Sequence, residues 1–487
     1  MTTEPEAEDL RGLARGVHEL FEMTSKLLAA EAPAHELVQR VTGHLGCELT
    51  EVVPVAERFP IWDRVNVQRG VNAYLAAHGS TGTWFGARGG LHYLDEGLLS
   101  LVTMSPQFTM IQFGAASFGT APVGPEENTE VVTLGLIATA APDGAPVLVG
   151  LHSVQQYGSP HCNLEILAAD PAHGTATRDE IGRLIREHNV FRGQVLSFTV
   201  SEHHGNELVS FLPRPTVAAG EVILPDGVLE TVEHHITGIG AWSRELLDAG
   251  QHLKRGLLLH GPPGTGKTHT VRYLAGRLAA TTVIQLTGTS IRFIEQAAAL
   301  ARRLQPSMIV LEDVDLVGMD RDFSEDSNPL LFSLLEAMDG VGADADVTFV
   351  LTTNRADILE LALADRPCRV DLAVEIPRPD AACRERLLRL YARDLALEAD
   401  VSEVAAATDG ITASFIKELI RRTVLVSLRA GERPPVLRDA HFAEVLAEMN
   451  SERHALTRSL LGVAAGDEPP GQEPASRPGP VRYRRFR

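Results

Sequence analysis

The sequence has little of what marks secreted, membrane-spanning or disulfide-rich proteins. Its four cysteines are scattered and form no CxxC pair, which favours a reduced, cytoplasmic protein over a disulfide framework. The first residues are acidic and lack the basic and apolar regions of a signal peptide. No apolar run approaches the roughly 18 residues that cross a bilayer. We therefore expect a cytoplasmic location and no membrane span.

Positive charge is also scarce. The formal net charge is −20 at pH 7, whereas non-specific binding to nucleic acid or anionic lipid rewards an excess of Lys and Arg. A nucleic-acid partner is therefore not expected. The content of 44% hydrophobic and 22% charged residues is typical of a soluble globular protein. A length of 487 residues exceeds what one hydrophobic core supports, so several domains are predicted. The abundance of Ala, Arg and Gly indicates a bacterial source.

Apolar periodicity divides the chain into regions of different type. Residues 9–45 carry apolar side chains at steps of three and four, which predicts a helix, and residues 65–77 predict another. The following apolar runs, broken by Gly, Pro and Asn, predict strands of a mixed α/β domain that ends with GQVLSFTV and NELVSFL. The segment PRPTVAAGE, from Pro213, is predicted to be a hinge. The Pro- and Gly-rich tail is predicted to be disordered.

A phosphate-binding loop is the most informative motif. Residues 261–268 read GPPGTGKT and match the whole pattern GxxxxGK[ST], between a short apolar strand and a predicted helix. In such a loop the backbone N–H groups and the helix N-terminus face the phosphates. Lys267 is predicted to reach the β- and γ-phosphates and Thr268 to offer its hydroxyl to Mg²⁺. The predicted ATP-binding residues are Gly261, Pro262, Pro263, Gly264, Thr265, Gly266, Lys267 and Thr268.

Two further apolar strands end in polar residues. Residues 307–315, SMIVLEDVD, predict a buried strand that ends in carboxylates, and we expect it beside the strand that leads into the phosphate loop. Glu312 is predicted to hold the Mg²⁺ shell and Asp313 to polarise the attacking water. Residues 347–354, VTFVLTTN, predict another buried strand, after which Asn354 can hold that water or sense the γ-phosphate.

Together with LLFSLLEAMDG, TTNRADILELALADRPCRVD and TDGITASFIKELIRR, these motifs resemble the AAA branch of the AAA+ ATPases from about residue 227 to 450. The resemblance implies an α/β fold with a P-loop AAA+ module, which is a parallel five-stranded-type sheet flanked by helices. A small helical lid is expected after it and a separate α+β domain before it. The expected divisions are a helical segment 1–48, a partner domain 49–225, the nucleotide-binding domain 226–378, the lid 379–455 and a disordered tail 456–487.

The resemblance also implies a ring of identical subunits, expected to be a hexamer. In the family, two arginines project into the ATP site of the next subunit, and Arg366 and Arg369 stand at the matching positions. They are predicted to be catalytic across that interface, together with Lys267, Asp313 and Asn354. The resemblance further implies hydrolysis of ATP with Mg²⁺ and a protein client that the sequence does not identify.

Three departures from the family pattern bear on the function. The order Glu312–Asp313 reverses the usual Asp–Glu pair, and Cys368 with one extra preceding residue alters the arginine segment. No aromatic pore loop is evident, and its only candidate, the pair at 293–294, could equally be helix core. Two functions therefore remain open. One is a motor that remodels or translocates a protein, and the other is an ATP-dependent assembly scaffold or switch with slow hydrolysis.

Overall fold

A computed structural model describes residues 36–79, 82–88, 97–105, 111–154, 160–200, 207–317, 329–355 and 370–450. Two compact units are distinguished. The first contains the described residues up to 217, together with 231–259 and 271–374, and the second contains 218–230, 260–270 and the described residues from 375 onward. Most of the predicted amino-terminal helix, the tail, Arg366 and Arg369 lie outside the described residues.

The first unit begins with a seven-stranded antiparallel sheet. Its strands are β1 (Val53–Pro60), β2 (Phe85–Arg88), β3 (Gln112–Ala115), β4 (Ser117–Pro122), β5 (Asn128–Ala140), β6 (Pro146–Val154) and β7 (His161–Ala168). Its helices are α1 (Glu36–Leu45), α2 (Arg64–His78), α3 (Leu98–Met104) and α4 (Pro171–Glu187). The strand order is β1-β7-β6-β5-β2-β3, with β4 paired to β5. All these pairs are antiparallel.

Both faces of this sheet are covered by helices, as strand β6 illustrates. Val147 and Val149 belong to an apolar cluster with residues of α2 and α4, whereas Leu148 belongs to a cluster with residues of α1 and α3. Because successive side chains of a strand point to opposite faces, each face buries every second residue. The result is an antiparallel sheet between two helical layers.

The first unit also contains a second seven-stranded sheet. Its strands are β8 (Val195–Val200), β9 (Glu207–Leu212), β10 (Arg255–His260), β11 (Thr282–Thr287), β12 (Ser307–Glu312), β13 (Val347–Thr353) and β14 (Leu372–Glu375). The accompanying helices are α5 (Val228–Ala241), α6 (Ser243–Asp248), α7 (Lys267–Arg277), α8 (Ile294–Arg303), α9 (Val314–Val317) and α10 (Pro329–Gly340). Strands β8, β11, β12 and β13 run parallel, and β9 is antiparallel to β8.

Two expectations about strand placement were wrong. The order is β14-β10-β13-β12-β11-β8-β9, so β13 separates β12 from β10, which precedes the phosphate loop. The hairpin β8–β9 belongs to this sheet and brings it to seven strands, whereas the sequence pattern predicts these two strands in the preceding α/β domain. Both differences arise because a parallel strand pairs with a partner far away in sequence, which the apolar pattern of one strand does not reveal.

The two sheets of the first unit share a buried junction. Val65 and Val131, from the antiparallel part, belong to one apolar cluster with residues of β8, β11, β12 and β13. The carboxylate of Asp63 is fully buried and accepts hydrogen bonds from Arg303 on α8 at 2.9 Å and from Asn66 at 2.7 Å. A buried carboxylate is stable only when it is paired in this way.

The second unit is mainly helical. It contains α11 (Ala381–Tyr391), α12 (Val401–Ala407), α13 (Ala413–Arg429) and α14 (Asp439–Met449), with a short parallel pair, β15 (Ala396–Leu397) and β16 (Val436–Leu437). Asp380, Asp400 and Thr412 accept backbone hydrogen bonds at the N-termini of α11, α12 and α13. These caps set where each helix begins. None of the helices in the described ranges is long and apolar enough to cross a membrane.

Candidate nucleotide-binding site

The phosphate loop has a conformation that requires its glycines. Gly261, Gly264 and Gly266 have φ values of 142°, 77° and 115°, which side chains rarely allow. A Cβ atom on Gly261 would lie 2.3 Å from the carbonyl oxygen of Ile376, so close approach of that backbone also excludes a side chain. The loop can therefore turn its backbone N–H groups inward, as phosphate binding requires.

Lys267 is buried under this loop. It is 6% exposed, and its Nζ donates hydrogen bonds to the carbonyl oxygens of Gly261 at 2.8 Å and Pro262 at 2.9 Å. Thr265 is also buried and donates to the same carbonyl of Pro262 at 3.0 Å. Thr268 follows at the first turn of α7 and is half-buried. The loop thus encloses an ammonium group within its own backbone.

A cavity of about 640 Å³ lies in the second unit, between the phosphate loop and the helices that follow. This volume is in the range of ligand sites. Gly264 and Gly266 line one side, and Tyr391, Ser414 and Lys417 line another. The backbone N–H of Ser414 donates to the carbonyl oxygen of Gly264 at 3.1 Å, which joins the loop to the start of α13.

The linker that precedes α5 completes this cavity. Glu221 and Arg393 both line it and form an ion pair at 2.6 Å. That hydrogen bond from Arg393 holds the pKa of the Glu221 carboxyl below its usual range. The Nε2 atom of His269, on α7, lies 3.1 Å from the backbone carbonyl oxygen of Glu221. No local sequence pattern indicates these residues, because the pair joins positions that are 172 residues apart.

In the first unit, the predicted carboxylates and Asn354 come together where β12 and β13 end. Glu312 is the last residue of β12, and Asp313 follows it with a φ of 52°. The side chain of Asn354 donates to Oδ1 of Asp313 at 3.4 Å. Because β12 and β13 are parallel neighbours, their polar ends meet at one edge of the sheet.

Asp315 is a further member of this cluster, although the sequence motifs predict no role for it. Its carboxylate is 6% exposed, and Oδ1 accepts hydrogen bonds from the Thr353 hydroxyl at 2.9 Å and from the backbone N–H of Asn354 at 3.0 Å. Its signal in the sequence was its position two residues after Asp313, which places it in the first turn of α9.

The other predicted site residues have different outcomes. Arg366 and Arg369 lie outside the described residues, so their role stays a prediction. Phe293 and Ile294 are 7% and 0% exposed, and the ring of Phe293 stacks on Phe198 with 5.8 Å between centroids. The candidate pore segment is therefore part of the core, which leaves no pore loop at this position.

Comparison with known proteins identifies the domain. Residues 257–378 match the family model described as "ATPase family associated with various cellular activities (AAA)". This match and the curated relatives described next, together with the phosphate loop and the parallel sheet, show that the chain carries an AAA+ P-loop ATPase domain. ATP with Mg²⁺ is the cofactor pair of such domains. The hard oxygen donors of Thr268 and Glu312, the two residues predicted to hold the metal, are of the kind that Mg²⁺ prefers, and the buried Lys267 suits an anionic phosphate.

Curated relatives align with slightly less than half of the chain. The ATP-dependent zinc metalloprotease FtsH of Caldicellulosiruptor bescii is 30% identical over 228 residues, which are 44% of this chain and 37% of the relative. The proteasome-activating nucleotidase of Methanocella arvoryzae is 31% identical over 224 residues, or 43% and 53% of the two chains. The 26S proteasome regulatory subunit 6A of Saccharomyces cerevisiae is 29% identical over 221 residues, or 42% and 50%. The match thus covers between about a third and half of these relatives' lengths.

Proposed function

We propose that this protein is an ATP-hydrolysing AAA+ ring ATPase that remodels or translocates a protein client. The observation that carries the proposal is the cavity bounded by the phosphate loop and α13, with Lys267 buried beneath the loop. The names of the relatives connect such domains with proteolysis and with the proteasome. We propose that the antiparallel part of the first unit selects the client, since it has no counterpart in the matched region.

Each predicted residue has a chemical task in this proposal. Bound ATP and Mg²⁺ would supply the transferable phosphoryl group and neutralise its charge. Lys267 would neutralise phosphate charge from within the loop, and Thr268 and Glu312 would hold the metal shell. Asp313 would accept the proton of the attacking water, and Asn354 would orient that water through its amide. All of them act by position and charge, as phosphoryl transfer requires.

The ring itself is part of the proposal. Arg366 and Arg369 would each reach the ATP of a neighbouring subunit in a hexamer and stabilise the charge that develops during transfer. In other phosphoryl-transfer systems such arginines contribute on the order of 10³–10⁵ in rate. A ring of this kind would couple the chemistry of one subunit to the position of the next.

The test is steady-state ATP hydrolysis as a function of protein concentration. We expect the rate per subunit to rise as subunits associate, and Lys267→Ala to lower it on the order of a hundredfold or more. Arg369→Ala should also abolish the rise with concentration. Lys254→Ala is a matched control, because Lys254 donates to the carbonyl of Met338 and does not line the cavity. A rate that is independent of concentration and unaffected by Lys267→Ala would refute the proposal.

A second candidate is an ATP-dependent assembly scaffold or switch with slow hydrolysis. The burial of Phe293 favours it, because this residue was the only aromatic candidate for a threading loop in its segment. Sedimentation with and without ATP, alongside turnover, separates the two functions. A switch would assemble on ATP with negligible turnover, whereas a motor would turn over continuously once assembled.

A further inference from the structure

Asp313 has an unusual backbone conformation. Among the non-glycine residues that the structure describes, it alone has φ in the left-handed region, at 52°. Most side chains are disfavoured there, but Asp and Asn are tolerated because their short polar groups bond locally. Glu has no such advantage, since its carboxylate lies one methylene further from the backbone. The backbone conformation at residue 313, where the chain leaves β12, therefore favours Asp over Glu at this position.

The end of β13 holds this conformation in place. The backbone N–H of Asp313 donates to Oγ1 of Thr352 at 3.0 Å, and Thr352 is fully buried. The Asn354 amide donates to the Asp313 carboxylate from the same strand end. One bond therefore fixes the backbone of residue 313, and the other orients its side chain.

Asp315 secures the same strand end from the other side. Oδ1 of its buried carboxylate accepts from both the Thr353 hydroxyl and the Asn354 backbone N–H. Thr352 and Thr353 point to opposite faces of the strand, so their hydroxyls bond to Asp313 and Asp315, respectively. Four hydrogen bonds thus join the segments 313–315 and 352–354. Several interactions of this kind together can hold an unfavourable backbone conformation in a native structure.

We infer that Thr352 and Asp315 are positioning residues, which hold Asp313 in its left-handed conformation beside Asn354, and that this backbone dictates the Glu312–Asp313 order. The inference rests on the proposed ATPase function. Neither residue is expected to touch the nucleotide. Each acts through Asp313 or Asn354, so its loss should alter turnover more than ATP binding.

The first test concerns turnover and uses conservative pairs. Thr352→Val removes the hydroxyl that Asp313 needs, whereas Thr352→Ser keeps it. Asp315→Ala removes the shared acceptor, whereas Asp315→Asn keeps a carbonyl oxygen at that place. We expect Thr352→Val and Asp315→Ala to lower kcat on the order of tenfold to a hundredfold. ATP affinity, measured by titration with a fluorescent nucleotide, should change by no more than about twofold, and the conservative variants should retain most of kcat.

The second test concerns the order of the acids. The double variant Glu312→Asp with Asp313→Glu restores the usual order, and we expect it to turn over on the order of tenfold more slowly than the wild type. A double variant as fast as the wild type would overturn the inference, because the backbone would then not dictate the order.

The third test does not depend on activity. Asp313→Gly and Asp313→Ala both remove the carboxylate, but of the two only glycine adopts a φ near 52° without steric strain. We expect the glycine variant to melt about 2–4 °C above the alanine variant, the reverse of the usual ranking. Equal melting temperatures would overturn the backbone part of the inference.

The outcomes separate the inference from the function on which it rests. If wild-type protein hydrolyses ATP, Lys267→Ala does not and Thr352→Val is as fast as wild type, the positioning role is wrong and the ATPase function stands. If wild-type protein shows no hydrolysis, the proposed function fails and the positioning role fails with it.

Discussion

The two edges of the parallel sheet use buried charge in opposite ways. Where β13 begins, Asp346 pairs with Arg255 at 2.8 Å, and their side chains are 17% and 6% exposed. Where β13 ends, the backbone N–H of Asp313 donates to Thr352, and the carboxylates of Asp313 and Asp315 accept hydrogen bonds from Asn354 and Thr353. At the first edge the two charges neutralise each other within the fold. At the second edge, buried polar groups orient a carboxylate that is only partly covered.

The difference follows from the geometry of parallel strands. All carboxyl ends lie at one edge, so polar residues from several strands converge there, and ligands bind at this edge in open α/β sheets. The opposite edge is free for structural contacts. Arg303, at the end of α8 and just before β12, contacts Asp63 and so joins the antiparallel part to that structural edge. The buried ion pair and the residues proposed to be catalytic thus lie at opposite ends of the same strands.

The largest expected effect on stability comes from breaking the Arg255–Asp346 pair. Asp346→Ala leaves Arg255 charged and buried, and we expect a loss of about 3–5 kcal/mol in the free energy of unfolding. Turnover per folded molecule should not change. Denaturant unfolding followed by intrinsic fluorescence gives the first quantity, and the ATPase assay gives the second.

Two controls sharpen that measurement. Asp344→Ala changes an exposed carboxylate two residues away, and its effect should stay within about 0.5 kcal/mol. Replacing Arg255 with Met and Asp346 with Leu together removes both charges, and should recover most of the stability. Loss of turnover in folded Asp346→Ala would contradict the division between the two edges.

The positions of several polar groups at the carboxyl edge could be predicted from the sequence. GPPGTGKT is contiguous, and Glu312, Asp313 and Asn354 each follow an apolar strand, so local patterns sufficed to locate them. Their mutual contact depends on which strands are neighbours, and there the expectation that β12 adjoins β10 was wrong.

Other features could not be predicted because they depend on non-local pairing. The apolar run of β8 would suit either sheet, and only its pairing with β11 assigns it to the second one. The Arg255–Asp346 pair joins residues that are 91 positions apart. The role of Asp315 depends on the left-handed turn at Asp313, and no sequence pattern predicts a positive φ at an aspartate. Local sequence patterns therefore indicate the polar residues at the strand ends better than the residues that contact and hold them.

A smaller effect is expected where Arg303 joins the two sheets. Arg303→Ala leaves the fully buried Asp63 with Asn66 as its neighbour, but Arg303 itself is 38% exposed and partly screened. We expect a loss of about 1–3 kcal/mol in the free energy of unfolding. Arg302→Ala, on the preceding residue of α8, removes a surface contact to the carbonyl of Gly340 and serves as the control. Equal effects of the two variants would show that this junction is not held by the buried carboxylate.

The smallest effect should come from a partly buried carboxylate that has two arginine partners, of which Arg421 is exposed. Glu418, on α13, accepts hydrogen bonds from Arg421 at 2.7 Å and from Arg422 at 2.8 Å. The Arg421 bonds in particular lower the pKa of Glu418 to about 2, against the opposing effect of partial burial. A pKa that is lower in the folded state means that the ionised form stabilises the fold. This contribution is complete above about pH 4.5, and is lost as the pH falls towards about 2.

Glu418→Gln therefore tests whether the exposure of Arg421 limits what its pairing with Glu418 contributes to stability. Because Arg421 is exposed, we expect Glu418→Gln to cost less than about 1 kcal/mol near pH 7. Urea unfolding at several pH values should show the difference from wild type shrinking as the pH falls below about 4.5. Arg421→Gln removes the same interaction from the other partner and should flatten the pH dependence in the same way. A loss as large as that of Asp346→Ala would mean that an exposed arginine partner stabilises the fold as strongly as a buried one.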